Sequence, residues 1–158
     1  MTTSTTSAPF VPADVLRRIK PSPSTLAAQR VRELKAEGRT IFDLTVGEPD
    51  FDTPEHVKTA AVDAIMAGDT KYTPVNGTPA LRQAIRAHAQ ATSNVEYSDA
   101  EVTVGGGGKQ VIFLALMATL NDGDEVIVPA PYWVSYPDMV RANGGTPVIV
   151  PTSPSERY

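Results

Sequence analysis

The sequence predicts an α/β fold with a largely parallel sheet. In the second half of the chain, short runs rich in Val and Ile alternate with helical patterns, and Asn/Gly-rich turns separate them. Strands that alternate with helices are typical of a parallel sheet, in which ligands bind at the carboxyl ends of the strands. The strands are predicted at 102–104, 126–128 and 148–150, and the helices at 109–120 and about 134–142.

Composition excludes several classes of function. The chain has 158 residues, 41% hydrophobic and 20% charged, as expected for one globular domain with a core. A net charge of −4 without a Lys/Arg stripe argues against a nucleic-acid partner. The absence of cysteine excludes disulfides and fits a cytoplasmic protein. No apolar run is long enough to span a membrane, and His56 and His88 lack metal-ligand spacing, so neither a membrane nor a metal is predicted.

The amino-terminal part predicts short elements joined by loops. Residues 1–12 are rich in Ser and Thr and predict a disordered tail. Helical periodicity and Gly38 as a stop signal predict a helix over 26–37. Alternation of apolar with polar residues predicts a strand over 41–46. The other predictions here are a short helix over 13–19 and loops over 20–24 and 47–52.

Two Thr-Pro pairs each predict the start of a helix. Threonine is a favoured N-cap residue, and proline is tolerated at the first helical position. Thr53-Pro54 is therefore expected to begin a helix that ends at Gly68, and Thr78-Pro79 one that ends near Ala91. The buried side of the first of these helices is predicted to consist of Val57, Ala61, Ala64 and Ile65.

Four consecutive glycines, residues 105–108, follow the first predicted strand and precede an apolar helix. Glycine lets the backbone approach a ligand closely, and the N–H groups at a helix start favour an anion. This segment, the glycine loop, therefore predicts a phosphate site. The P-loop spacing fails because Gln110 follows Lys109, and no third glycine completes the dinucleotide fingerprint.

Three further side chains are candidates for the same site. Trp133, the only tryptophan, follows a predicted strand end, where its indole can stack on a flat cofactor or fill the core. Tyr72 lies in a polar loop and can donate its hydroxyl to a phosphate, or can simply be exposed. Lys109 can bind a phosphate or a carboxylate, or can be solvated. These residues alone leave the alternatives open.

Several motifs taken together resemble class I pyridoxal-phosphate (PLP) aminotransferases of the bacterial aspartate aminotransferase-like branch. They are KPSPS (20–24), TVGEPDFDTP (45–54), TKYTPVNGTPALRQAI (70–85) and the stretch 105–140, which runs from GGGGKQ to PYWVSYPDMV. The resemblance implies the amino-terminal part of a fold-type-I transferase, with an incomplete three-layer α/β/α large domain. It assigns 13–50 to the small domain and substrate loop, and 51–158 to the large PLP-binding domain.

The resemblance also implies a cofactor site. Gly107, Gly108 and Lys109 match the positions that hold the PLP phosphate, and Trp133 matches the aromatic residue stacked on the pyridine ring. Tyr72 matches the tyrosine that reaches the phosphate bound in the neighbouring subunit, so a homodimer is implied.

A substrate site is implied in the same way. Gly47 matches a backbone contact to the substrate carboxylate, and Trp133 is included among the substrate-binding residues. Lys109, helped by Ser22 and Ser24, matches the group that pairs with the distal carboxylate of an acidic substrate. The implied reaction transfers the amino group of aspartate to the 2-oxo acid 2-oxoglutarate, with prephenate as an alternative substrate.

The sequence also departs from the family pattern. Ser24 stands where threonine is usual, and Leu114 replaces a common asparagine whose role nothing in the sequence explains. The Schiff-base lysine and the aspartate on the pyridine nitrogen have no counterpart in these residues, so no catalytic residue is predicted. Two alternatives of other classes stay open, namely a non-catalytic PLP- or phosphate-binding module and a nucleotide-binding α/β protein.

The 158-residue polypeptide alone is expected to be inactive, because transamination needs a lysine that binds the cofactor and moves a proton. A coupled assay for oxaloacetate on the purified polypeptide measures this. Turnover well above the background of free PLP would contradict the expectation.

Overall fold

The computed structural model describes residues 10–156, so most of the predicted tail, residues 1–9, lies outside the described part. The helices are α1 (Pro23–Ala36), α2 (Glu55–Met66), α3 (Pro79–Ser93), α4 (Gly108–Thr119) and α5 (Tyr136–Ala142), and the strands are β1 (Glu125–Ala130) and β2 (Thr146–Pro151). Short 3₁₀ turns lie at Asp14–Arg17, Asp99–Glu101 and Pro154–Glu156.

The chain divides into two compact units. The first contains the described residues up to Val46 and those from Phe113 onward, and the second is Gly47–Ile112. Each unit has its own buried residues: Val128 and Val140 in the first, and Val102 and Arg82 in the second. The helix predicted over 26–37 begins earlier, at Pro23, because proline suits the first turn of a helix.

A parallel β-α-β arrangement forms the centre of the first unit. β1 and β2 pair in parallel with Glu125 opposite Thr146 and Ala130 opposite Pro151, and α5 packs on both strands. Val140 of α5 is only 2% exposed. A Cβ at Gly145 would lie 3.0 Å from Val140 Cγ1, so glycine there lets α5 return closely to the sheet. The predicted α/β class is confirmed.

The strand predicted over 41–46 is wrong. Phe42 and Leu44 are 91% and 94% exposed, and no strand among residues 10–156 pairs with this segment. Asp43 Oδ1 instead accepts hydrogen bonds from the Thr45 hydroxyl at 2.8 Å and the Thr45 N–H at 3.1 Å. These bonds lower the pKa of Asp43 to about 2. A local turn that satisfies backbone groups competes with a strand, and here it replaces one.

The strand predicted over 102–104 is also wrong. Within the described ranges its backbone joins no sheet, and Val104 N donates instead to Asn76 O at 3.1 Å. The apolar character of the segment reflects burial of Val102 in the second unit rather than strand pairing.

A buried cation fixes the turn that precedes this segment. Arg82 of α3 is 9% exposed, and its Nη1 donates to Asp99 O at 3.1 Å and pairs with Asp99 Oδ2. Around Asp99, the Ser98 hydroxyl and N–H donate to the Glu101 carboxylate, and these hydrogen bonds lower the pKa of that carboxyl. The chain therefore leaves Glu101 toward the glycine loop in a defined direction.

The buried side predicted for α2 is not buried. Val57 and Ile65 are 46% and 60% exposed, and Ala64 alone among the four predicted residues is partly covered. No other element in the described part packs extensively on α2, so the apolar side chains of this helix have no surface to pack against. Separately, no helix within residues 10–156 is long and apolar enough to cross a membrane.

The two Thr-Pro pairs differ in structure. The Thr78 hydroxyl accepts a hydrogen bond from Leu81 N at 3.4 Å, which confirms the predicted N-cap of α3. At α2 the N-cap is Pro54, no side chain caps the helix, and the prediction for Thr53 is wrong.

Replacement of the capping threonine gives a test of this difference. We expect Thr78→Ala to lower the free energy of unfolding by about 1 kcal/mol, because a first-turn N–H loses its acceptor. Thr53→Ala is the matched control and should change it by less than about 0.5 kcal/mol. Urea denaturation of the complete protein that contains these residues measures both, and equal losses would contradict the capping role.

Candidate functional site

The glycine loop makes a sharp turn directly before α4. Gly107 has a φ of +112°, a region that residues with a Cβ rarely adopt. Val111 N donates to Gly107 O at 3.2 Å, so the first helical hydrogen bond of α4 closes on this glycine. The N–H groups of the next residues therefore lie where a helix has no intrahelical acceptor.

The four glycines fall into two different pairs. A Cβ at Gly105 would lie 2.7 Å from Val111 Cγ2, and one at Gly106 would lie 3.0 Å from Gln110 Oε1. At Gly107 and Gly108, a Cβ would have no neighbour within 4 Å. The first pair is thus packed against α4, whereas the second pair leaves open space.

This open pair fits the phosphate of a cofactor. The backbone at Gly107 and Gly108 can be approached closely, and it lies at the positive end of the α4 dipole. Lys109 adds a cationic side chain in the first turn of the same helix. The donor set therefore consists of backbone N–H groups and one ammonium group, as an anion requires.

The loop that carries Tyr72 contacts Val104, the residue directly before the glycine loop, through its last residues. Besides the hydrogen bond from Val104 N to Asn76 O, Gly77 packs so closely that a Cβ would lie 2.6 Å from Val104 Cγ2. Gly77 also has a φ of +97°. Tyr72 itself is fully exposed. Sequence reasoning missed this attachment, although the Asn-Gly pair is a turn signal.

Trp133 lies in the first unit, between the end of β1 and the start of α5. Its carbonyl accepts a hydrogen bond from Tyr136 N at 3.0 Å, which closes the turn into the helix. The side chain is 52% exposed, so the alternative reading as an aromatic core residue is wrong. The indole therefore keeps accessible surface beyond the contacts it makes within the protein.

The segment 20–24 lies beside this turn. Ser22 and Lys20 line a surface pocket of about 210 Å³ together with Val134 and Asp138. Ser22 occupies the N-cap position of α1, yet its hydroxyl makes no capping hydrogen bond. Ser24 is in the first turn of α1 and is partly buried.

The structure thus places the predicted site residues in two groups. The second unit contains Gly47, Tyr72, Gly107, Gly108 and Lys109, and the first contains Ser22, Ser24 and Trp133. Gly47 is exposed, and a Cβ there would meet nothing within 4 Å, so its backbone can also be approached by a ligand.

A parallel β-α-β arrangement and an open glycine pair at a helix start define the class, an α/β protein with a site suited to an anion. The chain belongs to the aminotransferase class I and II family, whose profile matches residues 39–158. Its architecture is that of the amino-terminal part of a fold-type-I aminotransferase, in agreement with the sequence prediction.

Named relatives and solved structures agree with this family. A protein from Cereibacter sphaeroides named aspartate/prephenate aminotransferase is 56% identical, and the match covers 87% of this chain and 34% of that protein. Aspartate aminotransferase from Rhizobium meliloti superposes with a TM-score of 0.88 at 47% identity, covering 93% of this chain and 37% of that one. The structure of the Thermus thermophilus enzyme with maleate gives a TM-score of 0.87 at 44% identity, covering 93% of this chain and 38% of that one. The chain spans about a third of the length of the curated relatives it matches.

Substitution of two glycines with positive φ gives a test that distinguishes anion binding from backbone strain. Gly107→Ala and Gly123→Ala should each lower the free energy of unfolding by about 1 kcal/mol, because both put a Cβ in a left-handed conformation, at φ +112° and +92°. Only Gly107→Ala should weaken the binding of inorganic phosphate, by about fivefold or more, because it also distorts the start of α4. Isothermal titration calorimetry on the complete protein measures phosphate affinity, and an equal loss in both variants would remove Gly107 from the site.

Proposed function

We propose that the protein containing this chain is a PLP-dependent aminotransferase that transfers the amino group of aspartate to 2-oxoglutarate. The observation that carries the proposal is the open pair Gly107 and Gly108 at the start of α4, with Lys109 directly after it. The family of the chain supports the reaction class.

In this proposal the chain binds and orients the cofactor. The N–H groups of Gly107 and Gly108 hold the phosphate, and the half-exposed indole of Trp133 stacks on the ring. Tyr72, which is fully exposed, reaches the phosphate site of a second subunit, so the active protein is a homodimer. Bound PLP supplies an electron sink for the amino acid substrate.

We propose acidic substrates because several groups of the chain suit the second carboxylate of such a substrate. Lys109 supplies a positive charge, the Ser22 hydroxyl is not used to cap α1, and Ser24 follows two residues later in the first turn of α1. Gly47 is proposed to contact the other carboxylate through its backbone. The Thermus thermophilus structure contains maleate, a dicarboxylate, which supports this substrate class.

Prephenate is the second candidate substrate, because the Cereibacter sphaeroides relative is named for both aspartate and prephenate. Prephenate also carries a second carboxylate, so the same lysine and hydroxyl groups suit it. We further propose a cytoplasmic location, where free amino acids and 2-oxo acids are available.

Substitution of Lys109 tests the substrate class in the complete protein. Lys109→Ala should lower kcat/KM for aspartate about 10- to 100-fold more than for a neutral amino acid, because a charge-assisted contact to the distal carboxylate is lost. Lys58→Ala is the matched control, since Lys58 lies on α2 and pairs with Glu55 at 2.9 Å. Steady-state assays with aspartate, prephenate and alanine give, for each substrate, the ratio of kcat/KM between the variant and the unaltered protein.

Each result bears on a different part of the proposal. Equal losses on aspartate and alanine would remove Lys109 from substrate recognition. Saturable PLP binding without any turnover by the unaltered protein would favour the non-catalytic binding module. A higher kcat/KM for prephenate consumption than for aspartate consumption would reverse the order of the two candidate substrates.

A further inference from the structure

Gln110 closes the glycine loop from the helix side. Its Oε1 accepts a hydrogen bond from Gly106 N, so the side chain reaches back over the residue that precedes the turn. The same amide lies against the loop backbone, since a Cβ at Gly105 or Gly106 would lie 3.1 Å or 3.0 Å from Oε1. Both contacts lie within the second unit.

This contact divides the loop into a closed half and an open half. The Gly106 N–H already has an acceptor, and the space beside Gly105 and Gly106 is filled by α4 side chains. Gly107 and Gly108 have open space instead. An anion that approaches the loop therefore finds the Gly106 N–H already bonded and open space beside Gly107 and Gly108.

We propose that Gln110 is a positioning residue that sets the geometry of the phosphate donors at Gly107 and Gly108. This inference rests on the proposed function, and it adds a residue to which no phosphate or substrate contact is assigned. Gln110 touches neither the cofactor nor the substrate in this role. It acts by holding Gly106 so that the next peptide groups point in a fixed direction.

The physical reason is preorganisation. Backbone donors bind an anion strongly when their direction is fixed in advance, because little ordering is needed on binding. A loop of four glycines has the largest conformational freedom of any sequence, so it needs an external anchor. The hydrogen bond from Gly106 N to Gln110 and the Gly107 turn supply anchors on adjacent residues.

The test compares PLP with pyridoxal, which lacks the phosphate. In the complete protein, Gln110→Met removes the acceptor but keeps the side-chain length, and it should raise the Kd for PLP and for inorganic phosphate about fivefold. The Kd for pyridoxal should stay unchanged. Gln90→Met is the matched control, because Gln90 is also an exposed helical glutamine with a side-chain hydrogen bond, to Asn94 at 3.1 Å.

An equal rise in the Kd for PLP and pyridoxal would overturn the proposal, since it would indicate a general structural role. No difference from Gln90→Met would overturn it as well. If Gln110→Met fails to fold by circular dichroism, Gln110→Asn serves instead, because it is one methylene too short to reach Gly106. An unaltered protein that binds inorganic phosphate but does not transaminate would remove the proposed function alone, and the phosphate affinities would still decide the role of Gln110.

Discussion

The left-handed conformation of Gly107 is the constraint on which the candidate site depends. It bends the chain directly before α4, and two successive residues at the helix start have open space around them. The approach to this turn is fixed upstream by the buried Arg82 and by the bond from Val104 N to Asn76 O. A short irregular segment thus takes a defined conformation without belonging to a sheet.

Helices were predictable from the sequence because their signals are local. The Thr78 cap and the positive-φ glycine near the end of α1, Gly38, depend only on neighbouring residues. The strands predicted over 126–128 and 148–150 correspond to β1 and β2. These two strands pair directly in parallel, and α5 connects them along the chain. The segments 41–46 and 102–104 carry the same apolar signal but have no pairing partner among residues 10–156, and periodicity cannot report a missing partner.

The site was predicted in part. The glycine run and Trp133 stand out in the sequence, and the structure leaves Gly107 and Gly108 open and the indole half-exposed. Four identical residues in the sequence could not show that Gly105 and Gly106 pack against α4, whereas Gly107 and Gly108 have open space beside them. Gln110 was noticed only as a break in the P-loop spacing, although a glutamine at the third helical position is a known signal for a side chain that reaches back to the helix start.

The half-exposed position of Trp133 has an optical consequence. It is the only indole in these 158 residues, and it lies at the turn between β1 and α5, beside the pocket that Ser22 and Val134 line. An indole in contact with water emits at longer wavelengths than a covered one. The emission maximum of this side chain therefore reports, without any label, whether a ring or another part of the protein covers the end of β1.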